Sequence, residues 1–339
     1  MTTLRTFGKI ACFSAMMLAS VPLVAGLFGA WHPALDSFAH FRVHLAVLMM
    51  LAALPLLATS LRWQAVMALL FGMAAIATTS SLPVPGIGPV QAAFEPRSSN
   101  RPVYKMLQMN LRFNNTEPAK VLSLVGRTQP DVITFEEVSA MWENKLAPLF
   151  ARYPHHMLCP HPGKVFGGAI LSRRPFAEGG EPKCFDNGSL AIATVDFGGR
   201  TSDIAALHLG WPWPYEQSRQ IGVLSENLAT LGENAILGGD FNATPWSAAV
   251  ARVAKAGDLK LMPAAGRTWL TLMLPDALRF AGLTIDHIMA KGDVVVHSVT
   301  MEADAGSDHR PLLVEFSFRE TPPSAEEAET QTVSVQPPR

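Results

Sequence analysis

Apolar positions are unevenly spread along this chain. From Ile10 to Ala30 there is no charged residue, and a bilayer crossing takes roughly 20 apolar residues. A second apolar stretch lies between Arg42 and Arg62, broken only by His44, and a third runs from Trp63 to about Thr79. Backbone groups in lipid must bond within their own segment, so each stretch reads as a helix. Residues 1–80 are therefore expected to form three transmembrane helices. A cleaved signal peptide beginning with Arg5 and Lys9 is the alternative for the first stretch, and the two apolar segments that follow argue against it. Arg5, Lys9 and Arg62 place the N-terminus in the cytoplasm by the positive-inside rule. Three crossings then put everything after residue 80 outside the cytoplasmic membrane, periplasmic or otherwise extracytoplasmic.

The pattern changes after residue 80. Residues 81–101 are rich in Pro, Gly and Ser and read as a linker. Residues 102–318 alternate strand-like and helix-like periodicity. Strands are expected at Val103–Asn110, Val132–Val138, Ala169–Ser172, Leu190–Asp196, Ser202–Leu209, Ala235–Asp240, Thr284–Ala290, Val294–Met301 and Leu312–Phe318. Helices are expected at Pro118–Thr128, Ser139–Arg152 and Tyr215–Leu231, with another opening at Thr244 or Pro245. This order gives an α/β (α+β) sandwich of sheets and helices. Residues 319–339 hold few apolar side chains and read as a disordered tail.

Charge narrows the function. The whole chain has net charge −1, and residues 102–318 carry slightly more acidic than basic residues, which weighs mildly against a nucleic-acid substrate. Cys159 and Cys184 share the later domain, where an oxidising compartment permits a disulfide. Their pairing stays open at this level, because sequence does not give geometry.

Polar residues of catalytic type stand at the ends of the apolar strands. They are Asn110 in LQMN, Glu137 in DVITFEE, His208 in IAALH, Asp240 and Asn242 in AILGGDFN, Asp286 in LTID, and Asp308 and His309 in GSDH. Hard oxygen donors of this kind suit Mg²⁺ or Mn²⁺, and no His/Cys cluster favours zinc. Together they supply metal binding, a base for water and donors for a developing anion.

The six segments LQMN, DVITFEEV, LHL, GDFNATP, IDHI and GSDHRPL, in this order, resemble the endonuclease/exonuclease/phosphatase (DNase I-like) superfamily over about residues 102–318. That superfamily includes nucleases, inositol polyphosphate phosphatases and neutral sphingomyelinases. The resemblance implies a four-layer sandwich of two mixed β-sheets flanked by helices. It implies Mg²⁺ (or Mn²⁺) held by Glu137 with Asn110 and Asp308. Asp240 would orient or deprotonate the attacking water, with His309 the alternative base, Asn242 and His208 would hold phosphate, and Asp308 would pair with and orient His309. Asp286 would orient His208. Two departures stand out. Glu136 replaces a usual Gln, and Arg112 occupies a place that is often acidic in the nucleases, which points to one metal. His287 is left ambiguous. Arg173, Trp211 and Trp213 are candidates for contact with substrate.

A domain tethered near the outer leaflet meets lipid head groups at high effective concentration. Some superfamily members with three N-terminal transmembrane helices resemble this chain, including a type associated with undecaprenyl diphosphate. The expected partners are thus the bilayer and a phosphoester substrate. A lipid phosphate, diphosphate or phospholipid is favoured, an extracytoplasmic nuclease is the alternative, and a catalytically inactive membrane scaffold is a minor one.

Overall fold

The apolar N-terminal residues form helices whose side chains are arranged inside out. In the computed structural model, which describes residues 2–80, 91–163 and 167–319, the helices are α1 (Thr2–Ala25), α2 (Pro33–Ala39), α3 (Arg42–Ala53) and α4 (Arg62–Ala77). The bundle of α1, α3 and α4 buries Ala46, Ala53, Ala65 and Ala75 together with Met16, Leu23 and Met49, while Leu18, Val21, Leu51 and Met67 face outward. A Cβ on Gly72 would stand 2.6 Å from Met50 Cγ, so glycine lets α4 lie close to α3. Alanines and a glycine at the helix contacts, with large apolar side chains left on the outside, suit packing in lipid. A helix in water buries its apolar stripe instead.

The expectation of three spans needs correction. Among the described residues, only Arg5–Phe28 is long and apolar enough by itself to cross a bilayer. Pro33–Ala39 and Arg42–Ala58 reach that length only together and are bent by 64° between them, and Arg62–Ala77 is apolar but shorter. Pro33 opens α2, and the break before Arg42 turns the chain. Hydropathy alone registers neither.

The later domain begins earlier than the linker reading implied. Gln91 bridges to Leu261, and the Ala92 and Glu95 amides donate to the carbonyls of Leu261 and Val296. Residues 91–95 thus lie along the sheets. Residues 81–90 of the expected linker and 320–339 of the expected tail fall outside the described residues.

The strands are β1 (Tyr104–Asn110), β2 (Val132–Val138), β3 (His155–Cys159), β4 (Gly167–Ser172), β5 (Lys183–Phe185), β6 (Leu190–Asp196), β7 (Thr201–His208), β8 (Ala235–Asp240), β9 (Lys260–Leu261), β10 (Asp286–Lys291), β11 (Val294–Met301) and β12 (Leu312–Phe318). They form two six-stranded mixed sheets, ordered β11-β12-β1-β2-β4-β3 and β5-β6-β7-β8-β10-β9. Each has one parallel pair at its centre, β1 with β2 and β7 with β8. Helices α5 (Pro118–Thr128) and α6 (Ala140–Phe150) cover the first sheet, and α7 (Gln217–Leu228) and α8 (Ala248–Gly257) cover the second. Apolar side chains of both inner faces meet between the sheets. The expected four layers are present. Strands β3, β5 and β9, short and at or near sheet edges, are additions to the sequence reading. Cys159 on β3 and Cys184 on β5 form a disulfide, with Cα atoms 5.6 Å apart. It links the edge of one sheet to the edge of the other.

Candidate active site

Strand register builds the site. His208 lies beside Asp240 in the β7–β8 pair, and Asp240 lies beside Asp286 in the β8–β10 pair. One row across three strands therefore carries His208, Asp240 and Asp286. Neighbouring strands are about 4.8 Å apart, so the three side chains share a single cluster. On the other sheet Asn110 lies beside Glu136 at the ends of β1 and β2.

Asn110 joins the two halves. Its Nδ2 donates to Glu137 Oε1 (3.1 Å) and Asp240 Oδ2 (3.0 Å), while its Oδ1 accepts the Arg112 amide. Glu137 has a left-handed φ of 56°, and the β2–β4 register shifts between Phe135 and Val138. A non-glycine residue held there is strained, and such strain clusters at functional positions. The distortion coincides with Glu137 Oε2 accepting the Phe113 amide at 2.8 Å.

His309 completes the cluster. Its Nδ1 is 2.9 Å from Asp286 Oδ2, and its Nε2 is 3.6 Å from Asp240 Oδ2. His208 Nε2 stands 3.7 Å from the same Asp240 oxygen. The pairing inferred from resemblance is thus rearranged: Asp286 orients His309 rather than His208. Asp308 does not serve His309 as its hydrogen-bond partner. Its carboxylate accepts Trp269 Nε1 at 3.1 Å, because adjacent residues point to different sides of an extended chain.

Supporting groups lie beneath. Gln108 Nε2 donates to Glu136 Oε2 and Asp286 Oδ1, and Thr268 Oγ1 accepts the Asp286 amide. Gln108 stands two residues before Asn110, on the same face of β1, so strand alternation could have marked it. Thr268 and Trp269 lie in an irregular segment that carries no comparable signal. Asn242 has a φ of 47°, its amide N–H donates to Asp240 Oδ1, and its side-chain Nδ2 donates to Leu209 O. One of its two amide hydrogens is thereby used, leaving the second for a ligand. His287 Nε2 donates to Ala243 O, and the ring packs edge-on to Phe241. It therefore supports the loop rather than the cluster.

Arg173 belongs elsewhere. β4 runs antiparallel to β2, so Ser172 pairs with Val132 while Gly167 pairs with Val138. Arg173 therefore leaves the sheet at the end opposite Glu137, about 17 Å away at the usual strand rise. Its amide donates to Asp131 O. Trp211 does stand on the rim, edge-on to Trp269 with ring centroids 6.4 Å apart, and both Trp211 and Trp213 are exposed.

Burial and charge set the protonation states. Burial pushes the Asp240 carboxyl up to about 7, partly countered by the nearby His309 charge. Burial opposes charge on His309, but Asp286 and Asp240 outweigh it and hold its pKa up to about 10. Asp286 also feels burial, and the His309 cation overcomes it and keeps this carboxyl below its ordinary value. His208 is lowered by burial, and buried Glu136 is raised well above the carboxylate range. At neutral pH the cluster holds an imidazolium–carboxylate pair beside a carboxyl poised near its titration point.

The donor set fits a divalent cation. Asp240, Asp286 and His309 bring ligand atoms within 4.8 Å of one another. Among the described residues, no Lys or Arg forms an ion pair with Glu137, Asp240, Asp286 or Asp308. This concentration of carboxylates lacks the cationic partner that buried charge requires. His309 compensates Asp286, which leaves Glu137 and Asp240, joined through Asn110, as the carboxylates open to a cation.

The loop after Asn242 rests on the N-terminal helices. Asp36 of α2 accepts the Ala248 and Ala249 amides (2.8 and 2.9 Å), His40 Nδ1 accepts the Thr244 amide, and Trp246 Nε1 donates to Ala39 O. The helix expected from Thr244 or Pro245 starts at Ala248, capped by Ser247, because residues 244–246 are held by these contacts.

The profile of the "Endonuclease/Exonuclease/phosphatase family" matches residues 107–309. No curated protein matches the chain. Among solved structures, D. rerio TDP2 humanized by 14 mutations is 20% identical, with 63% of this chain and 98% of that chain covered and a TM-score of 0.51. Truncated Caenorhabditis elegans TDP2 is also 20% identical, covering 64% and 98%, with a TM-score of 0.51. The human Nocturnin catalytic domain with bound sulfate anion is 21% identical, covering 65% and 96%, with a TM-score of 0.50. At these identities the likeness is one of fold.

Proposed function

The chain belongs to the endonuclease/exonuclease/phosphatase family, a family of phosphoesterases and nucleases, and from that premise we propose a membrane-anchored, Mg²⁺- or Mn²⁺-dependent phosphoester hydrolase acting on a lipid phosphate, diphosphate or phospholipid. The observation that carries the chemistry is the row His208–Asp240–Asp286 with His309 against it and Asn110 bridging to Glu137.

Each side chain then has a task. A cation held by Glu137, with Asn110 and Asp308 as further donors, would supply positive charge to the phosphate oxygens. We assign the Asp286–His309 pair to proton handling rather than to metal ligation, because its 2.9 Å contact already satisfies both charges. Asp240, near its titration point at neutral pH, takes the proton of the attacking water. His309, protonated and oriented by Asp286, donates to a non-bridging oxygen and stabilises the charge that develops there. Asn242 and His208 hold the remaining oxygens. Water displaces the leaving group directly, the departing alcohol or phosphate oxygen takes up a proton from solvent while Asp240 releases its own, and no covalent intermediate is required.

The anchor reading rests on α1 and on the apolar outer faces of α3 and α4. Arg5, Lys9 and Arg62 stand at the end of the bundle remote from the catalytic domain, where Lys9 Nζ donates to Ser60 Oγ. That charge placement favours the remote end as cytoplasmic and the catalytic domain as extracytoplasmic. The Cys159–Cys184 disulfide supports the same side, since disulfides persist in oxidising compartments.

The test is product release by the detergent-purified full chain with Mg²⁺. Undecaprenyl diphosphate, common phospholipids, and single- and double-stranded DNA are presented in parallel, with Asp240→Ala as control. Phosphate or head-group release that disappears in the variant is the expected result. DNA cleavage with lipids untouched would replace the lipid substrate by nucleic acid.

A further inference from the structure

Two loops rise from the active-site strands with their apolar side chains uncovered. One follows His309's neighbours: the Leu270 amide donates to Asp308 O, and Trp269 bridges to both His309 and Leu283. Between these anchor points Leu272, Met273 and Phe280 lie exposed, Met273 at 92%. The other loop follows His208 and carries exposed Trp211 and Trp213. Contiguous exposed apolar side chains around a site mark a surface that meets something apolar.

The same loops are fastened to the helical bundle. His44 Nε2, in the first turn of α3, bonds to Ala281 O at 2.8 Å, and Ser37 Oγ of α2 donates to Trp213 O at 3.1 Å. Arg42 donates to Gly26 O and Thr78 Oγ1, which gathers the catalytic-side ends of α1, α3 and α4 at one level. Because α1 is the helix able to cross a bilayer, this is the level at which it emerges from the hydrocarbon. The loop charges are also paired locally. Asp276 pairs with Arg279 and Arg310, each at 2.7 Å, so these rim charges sit in an ion-paired cluster of net charge +1, a sign suited to an anionic head-group layer.

We propose that these two loops sit in the head-group layer of the bilayer that α1 crosses, with Met273 and Phe280 reaching the upper acyl chains. The inference rests on the membrane-anchor reading above. Its consequence is that a phosphoester at the lipid head-group level reaches Asp240 and His309 without leaving the bilayer. The rim selects a head group on an apolar tail, and Trp211 and Trp213 add the amphipathic rings that favour this layer.

The experiment uses the full chain in nanodiscs of phosphatidylcholine and phosphatidylglycerol, with and without bromine near the top of the acyl chains. Met273→Trp adds an indole at the loop tip, read as the difference from the parent protein. Blue-shifted emission quenched by the brominated lipid is expected. Water-like, unquenched emission overturns the proposal, whatever substrate the enzyme hydrolyses. A second arm compares the parent with the Met273→Asp/Phe280→Asp variant. Hydrolysis of a bilayer-embedded lipid phosphoester should fall at least tenfold while that of soluble bis(p-nitrophenyl) phosphate stays within twofold. Measurable lipid turnover that is equal in both overturns the proposal. Quenching together with cleavage of DNA alone keeps the docked rim and removes only the lipid substrate.

Discussion

Asp286 and His309 face each other with carboxylate Oδ2 2.9 Å from imidazole Nδ1, although 23 residues separate them and they leave different strand ends. The contact fixes the ring so that Nε2 points to Asp240. Asp286→Asn should therefore lower kcat about 10²- to 10⁴-fold with little change in KM, the range for losing oriented acid–base catalysis. Asp308→Asn should cost less in ring orientation, because its carboxylate bonds to Trp269. Steady-state kinetics on both variants would separate them, and equal kcat losses with equal pH profiles would remove the distinction.

The same pair sets a stability slope with pH. His309 is held up to about 10 against an ordinary 6.5. Between these values the folded chain keeps a proton that the unfolded chain has released. The stabilisation is complete below pH 6.5 and is lost as pH rises through 10. Metal-free protein should show a falling Tm across that window, and Asp286→Asn should flatten the fall. A flat parent profile would mean that His309 is not a cation in the folded state.

Chelation should abolish hydrolysis, and Mg²⁺ or Mn²⁺ should restore it. Glu137→Gln should raise the metal concentration for half-maximal rate at least about tenfold, the lower end for disturbing a metal ligand set. Asp240→Ala should stay inactive at every metal concentration. Full activity in excess EDTA would end the metal-dependent reading.

Asp36 caps α8 from another part of the chain by accepting two of its first amides. Asp36→Ala should cost about 1–2 kcal/mol, as loss of an N-cap does. Because α8 follows the Asp240–Asn242 loop, activity should fall several-fold while the protein stays in the membrane fraction. Thermal melting and a fractionation assay read the two effects apart. Unchanged melting would mean that water replaces the cap.

Gly239 lies in the middle of the site's own sheet. A Cβ there would come within 1.9 Å of Leu207 O, a backbone atom of the paired strand. Gly239→Ala should prevent the β7–β8 pairing and leave the catalytic domain sensitive to protease. Gly238→Ala should be milder, because its nearest contact is the flexible Met106 methyl at 2.8 Å.

Much of this was legible from periodicity. Central strands such as Ala235–Asp240 are continuous apolar runs, and their polar terminal residues advertise themselves by contrast. Edge strands such as Lys183–Phe185 are short and half-exposed, so neither composition nor period distinguishes them from loops. Arg173 shows the opposite failure. Its position beside an apolar strand was visible, but the strand's direction was not, and direction decided which end of the sheet it joined.

The sequence by itself determined the central strands and the helices of the later domain, the family resemblance and the set of candidate catalytic side chains, because these follow from local periodicity and from residue types in a fixed order. Tertiary structure alone decided which carboxylate serves which histidine, that Cys159 meets Cys184, and that α2 carries the loop after Asn242. Those relations depend on strand register and on contacts between distant segments, and a one-residue change of register would redirect every side chain in the row.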